Sequence, residues 1–143
     1  MRKIFAAFAL FACAASAAMA SDENLDHAAA DAVKTFRTGG SDALVARAER
    51  CNSGISPRSR VNNLTPPEQV EYCFAFEMAS GYIIHNAPGA TQPTDANYLT
   101  GMNIKIRAIK NAELVRVITL PEQVDDYLLP RARYVTDAVK QML

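Results

Sequence analysis

The chain has 143 residues, with 15 Lys plus Arg against 15 Asp plus Glu, two histidines, three cysteines, and half of its residues hydrophobic. A net charge of zero excludes the basic footprint of a general nucleic-acid binder. The length suits one domain with a core large enough to fold alone.

Arg2 and Lys3 precede an apolar run, Ile4 to Ala18, and Ala18-Met19-Ala20 sets small residues where a signal peptidase reads, before polar Ser21-Asp22-Glu23-Asn24. The run falls short of the ~20 residues that span a bilayer. The sequence therefore divides into a signal peptide, 1–20, cleaved after Ala20, and one mature domain, 21–143, exported to a bacterial periplasm. Two other readings stay open: an anchor that is never cleaved, and a lipoprotein lipidated at Cys13. Against the latter, Phe11 is bulky for a lipoprotein box, and the residues after Cys13 stay apolar. Without Arg2 and Lys3 the domain keeps 13 basic against 15 acidic side chains. It holds no second long apolar segment, so no membrane span is expected in it.

Asp22 to Arg37 reads as a helix, with Leu25, Ala29, Ala32, Val33 and Phe36 at three- and four-residue steps. Gly39-Gly40 stop it. Ser41 is placed to cap a second helix, Asp42 to Cys51. Asn52 to Asn63, with Gly54, Pro57, Arg58 and Arg60, is a polar loop. Thr65-Pro66-Pro67-Glu68 opens the clearest helix: Glu68 completes a capping box, and prolines in a first turn remove N–H groups that have no intrahelical partner. This helix runs to about His85. Gly81 inside it predicts close packing against another backbone.

Asn86 to Thr94 is a loop with Pro88, Gly89 and Pro93. Tyr98 to Lys110 returns to helix, with Leu99, Met102, Ile106 and Ile109 on one side. Glu113 to Leu120 fits either a short strand or helix. Thr119-Leu120-Pro121-Glu122 repeats the earlier capping grammar, Pro130 interrupts, and a last helix, Arg131 to Leu143, carries Tyr134, Val135, Ala138 and Met142 on one stripe. The echo of 64–72 in 118–127 fits two capped helix starts better than a duplication, since it fades after each first turn. The expected fold is all-α: a small bundle of about five helices.

Once the signal peptide is removed, only Cys51 and Cys73 remain, and an even pair in an exported chain is most simply a disulfide. The loop of about 22 residues would be worth roughly 3 kcal/mol by chain entropy. Two cysteines do not fill a zinc site, and His27 and His85 lie in unrelated segments, so no metal and no cofactor is expected.

Glu77, polar on an apolar face, suits either acid–base chemistry or an ion pair with Lys or Arg; the pair is the commoner arrangement. His85 reads as a helix-end cation or a base. Arg58 and Arg60 could clamp a carboxylate or serve only as a solvated loop. Asp125-Asp126 is too short for a calcium loop. Nothing forms a nucleophile motif, and the chain is not expected to be an enzyme. The helix from Thr65 to His85 is apolar on more than one side, as in a central core helix or at a homodimer or partner surface.

A helix ending in Cys, a polar loop, then a second Cys opening an aromatic helix with Gly-Tyr-Ile resembles the Rap/Tai family of type VI secretion immunity proteins. The matching stretches are Phe36 to Cys51, Glu71-Tyr72-Cys73-Phe74 through Ser80-Gly81-Tyr82-Ile83, and, more loosely, Ile118 to Val124 with Tyr127-Leu128. Cysteines common in the second half of that family are absent here, and the Gly precedes the Tyr-Ile pair. The resemblance implies a small helical periplasmic protein, often dimeric, that binds a cell-wall-degrading effector and occludes its active site. The loops Asn52 to Asn63 and Asn86 to Asn97 are the candidate contacts, with Arg58, Arg60, Asn86, Asp95 and Asn97 as partner-binding residues. The competing expectations are a periplasmic stress or chaperone-like binding protein and an accessory subunit of an envelope complex.

Overall fold

A computed structural model describes residues 22–143, so the expected signal peptide, 1–20, and Cys13 lie outside the described residues. The described chain is all-helical: α1 (Asp22–Ser53), α2 (Pro66–Asn86), α3 (Gly101–Leu114) and α4 (Gln123–Met142). The count is four where about five were expected, and Gly40 and Pro130 account for the difference.

Gly40 alone leaves helical geometry inside α1, at φ 69° and ψ −163°, a left-handed φ that glycine reaches without steric cost. The Asp31 carboxylate meets the Arg47 guanidinium at 2.6 Å. Sixteen residues along a straight helix would stand roughly 24 Å apart. The helix therefore folds back on itself at Gly40, giving a first limb before that residue and a second limb after it. Gly39 has to be glycine for a different reason: a Cβ there would lie 2.6 Å from the Cβ of Ala43. The expected Ser41 cap does not form, since its hydroxyl is buried without a hydrogen-bond partner. Ala28, Ala29, Ala32 and Ala48, all fully buried, leave room for the limbs and α2 to approach closely.

α2 is the central helix. The first limb of α1, its second limb, α3 and α4 all pack on it, which explains why it is apolar most of the way round. Asn24 bonding Glu68 and Glu71 sets the first limb parallel to α2. Cys51 bonded to Cys73, with Asp42 accepting from the Thr94 N–H beyond the far end, sets the second limb antiparallel. α2 begins as its sequence predicts: the Thr65 backbone N–H and hydroxyl both donate to Glu68 Oε2 at 2.7 Å, and these bonds hold the Glu68 carboxyl below its usual range. Gly81 packs as expected, since a Cβ there would meet the Leu99 carbonyl oxygen at 3.2 Å.

α3 presents Ile104, Ala108 and Ala112 inward, whereas Met102 (69 %) and Ile106 (55 %) are exposed. The expected stripe is thus rotated; the two alanines bring α3 close to α2, and Arg107 turns toward Glu77. Residues 115–120 form neither strand nor helix. Arg116 takes φ 61°, and the N–H groups of Val117 and Ile118 close back on the Ala112 carbonyl. Ile118 thereby joins Ile55, Val70, Cys73 and Ala112 in a second small core. α4 runs through Pro130, which is exposed and has no N–H to give the Asp126 carbonyl one turn earlier. Its buried stripe is Leu128, Arg131, Val135 and Val139, while Tyr134 is exposed.

Candidate functional site

The disulfide Cys51–Cys73 is present, with Cα atoms 5.6 Å apart. It ties off the loop between α1 and α2, and further contacts stiffen that loop. Ile55 is buried. The Ser59 hydroxyl donates to Gln69 Oε1 at 2.7 Å, and Gln69 Nε2 donates to the Leu64 carbonyl at 3.1 Å. Val61 and Leu64 pair across Asn62 and Asn63, which have φ of 53° and 64°; positive φ at both central residues is the pattern of a type I′ turn, which asparagine tolerates. Arg58, Arg60 and Val61 are exposed on this braced loop.

Beside the loop lies a cleft of about 590 Å³. Both limbs of α1, the start of α2 and the loop wall it. Its interior edge is organised by three residues. Tyr72 donates its hydroxyl to Asp31 Oδ2 at 2.5 Å. Arg47 Nη2 donates to the same carboxylate oxygen at 2.6 Å and to the Tyr72 oxygen at 3.1 Å. Arg47 also bonds Thr35 and lies 5.2 Å from the Phe76 ring centroid. Burial, with the bond to Asp31, pushes the Tyr72 phenol up to about 12. His27 and Arg50 also line the cleft. Sequence reasoning missed Asp31 and Arg47, which meet only because α1 reverses between them.

The other predicted residues are placed apart from this site. Asn86, Asp95 and Asn97 sit at the C-terminal end of α2, roughly 30 Å from the braced loop along a 21-residue helix. They serve local structure: Asn86 donates to the Tyr82 carbonyl, Asp95 accepts from the Asn97 N–H, and the Asn97 carbonyl accepts from Thr100 and Asn103. His85 is exposed at the same end.

Glu77 is buried and paired with Arg107 at 2.6 Å through Oε1, while its Oε2 has no hydrogen-bond partner among the described residues. Burial pushes its carboxyl up to about 7, against the pull of Arg107. Glu71 is likewise buried and accepts from Arg131 and Asn24. Neither glutamate lines the cleft, and Glu71 is held behind its wall by the lining residue Asn24. Among the described residues no three His, Cys, Asp or Glu side chains come together to hold a metal, and no helix is long and apolar enough to cross a membrane. No family model matches the chain, and no match is found among curated proteins or solved structures.

Proposed function

We propose that the chain is an exported, non-catalytic inhibitor: a periplasmic immunity protein that blocks the active site of a cell-wall-degrading type VI secretion effector. The observation that carries this reading is the braced loop. Its ends are tied by Cys51–Cys73, its base is anchored by Ile55 and Gln69, and it displays Arg58, Arg60 and Val61 to solvent. A loop already ordered before contact loses little entropy on binding. Two arginines complement the carboxylates with which glycoside-cleaving enzymes work. A disulfide is also what an oxidising compartment permits, in keeping with export and cleavage after Ala20. The resemblance around the two cysteines points the same way.

The test is inhibition of the cell-wall hydrolase encoded in the neighbouring reading frame. Equimolar protein should abolish its activity on purified peptidoglycan, and the double variant Arg58→Glu, Arg60→Glu should restore activity while keeping the native fold. A hydrolase that stays fully active under excess protein defeats the reading.

A further inference from the structure

The cleft beside the loop is more than a gap between elements. Its charges are unevenly matched. Arg47 is satisfied by Asp31, Tyr72 and Thr35. Arg50 and His27 line the same space, and among the described residues neither side chain has a hydrogen-bonded or ionic partner. The cleft thus carries one guanidinium and one imidazole beyond what its own acid balances. The rest of the wall is mostly apolar, with Ala30, Val61, Leu64 and the Cys51–Cys73 disulfide, and is interrupted by the polar side chains of Asn24, Asn62, Gln69 and Tyr72. A volume of about 590 Å³ falls within the ~300–1,000 Å³ of small-molecule sites, which are likewise mostly apolar with a few fixed polar groups.

We propose that this cleft binds a small amphipathic carboxylate, its anionic head at Arg50 and His27 and its apolar body against Ala30, Val61 and Leu64. Charge-assisted hydrogen bonds are the strong ones, and a carboxylate fits a guanidinium fork. A cationic ligand would meet Arg47 and Arg50 together, and a neutral hydrocarbon would strip water from Arg50 with nothing in return. Asp31 does not compete for the ligand, because Tyr72 and Arg47 already hold it. Asn62, at the loop turn, is part of the cleft wall, so a bound ligand touches the loop itself. The site stands independently of the immunity reading: it needs no protein partner.

The experiment titrates the oxidised protein with 3-phenylpropionate and, separately, with 3-phenylpropanamide, which has the same shape without the charge. Amide resonances are followed by two-dimensional NMR. The acid should shift the signals of Gly54, Val61, Asn62 and Tyr72 in a saturable way and bind at least ~10-fold more tightly than the amide, as loss of one charge-assisted bond implies. Arg50→Gln, at an exposed position, should lose about the same factor for the acid, and Arg58→Gln should lose none. Equal affinity for acid and amide, shifts confined to residues outside the cleft, or no saturable binding of the acid overturns the proposal. If Arg50→Gln fails to fold, the acid–amide comparison on the native chain still decides it.

Discussion

Arg107 and Arg131 are held by the same arrangement on different sides of α2. Each guanidinium lies 3.9 Å from the centroid of a tyrosine ring, Tyr98 and Tyr127 respectively. Each donates to the backbone carbonyl of that same tyrosine, at 2.6 and 2.8 Å. Each also gives its Nε to a glutamate of α2 at 2.8 Å, Glu77 and Glu71. The bundle thus fixes α3 and α4 to its central helix by one repeated polar device, with the apolar core filling in around it.

The two copies differ in burial, and that sets the first prediction. Arg131 and Glu71 side chains are each 7 % exposed, whereas Arg107 keeps 22 %. Removing one partner of a buried pair strands the other charge, at a cost of about 3–5 kcal/mol. Arg131→Met should fall in that range by urea denaturation. Pairing it with Glu71→Leu should recover much of the loss. A double variant no more stable than the single one would contradict this account.

Stability should fall as pH rises through the range set by Glu77. Its carboxyl titrates near 4.5 when unfolded and is pushed up to about 7 when folded. The folded state therefore holds the proton more tightly, and the stability this gives is full below about 4.5 and lost as pH climbs to 7. The difference is on the order of 3 kcal/mol. Glu77→Gln should flatten that part of the stability–pH curve. An unchanged slope in the variant would rule out Glu77 as its source.

At the reversal of α1, two adjacent glycines should respond differently to alanine. Gly39→Ala drives a Cβ to within 2.6 Å of Ala43, and overpacking of this kind costs about 1–3 kcal/mol. Gly40→Ala meets no atom within 4 Å and suffers only the backbone strain of φ 69° with ψ −163°, a nearly glycine-only region that costs about 1–3 kcal/mol. Thermal melts of the two variants, alone and with Ala43→Gly added, separate the causes. Measured against Ala43→Gly alone, which itself costs about 1 kcal/mol in a helix, Gly39→Ala should lose its penalty and Gly40→Ala should keep its own.

Reduction of Cys51–Cys73 should remove roughly 3 kcal/mol of stability and loosen the braced loop. Limited trypsin digestion is the measurement: cleavage after Arg58 and Arg60 should be slow in the oxidised protein and fast after reduction. Equal rates would mean that Ile55 and the Ser59–Gln69–Leu64 bonds hold the loop without help.

Where local chemistry decides a feature, it could be read from the sequence. The cap formed by Thr65 and Glu68 depends on a few neighbouring positions, and the cysteine pair and the glycine at position 81 are signalled by residue type alone, although their partners lie farther along the chain. The face of α3 could not be read, because alanines at 108 and 112 give no apolar signal yet determine how near the helix comes. Nor could the partner of Glu77, thirty residues away on another helix. The second capping site shows how fine the margin is: Gln123, one place beyond the position matching Glu68, accepts the N–H groups of Thr119 and Leu120. Asp31 and Arg47 left a trace that only the fold makes meaningful, each lying eight positions from Gly39.

The separation of the two segments that flank α2 by the full length of that helix has a practical result. A fluorophore or surface tether attached at Thr91 or Gln92, both exposed, stands at the opposite pole from Arg58 and Arg60. The molecule can be immobilised or labelled there with its disulfide-bearing end still open to solution, so recognition at that end can be watched without the reporter touching it.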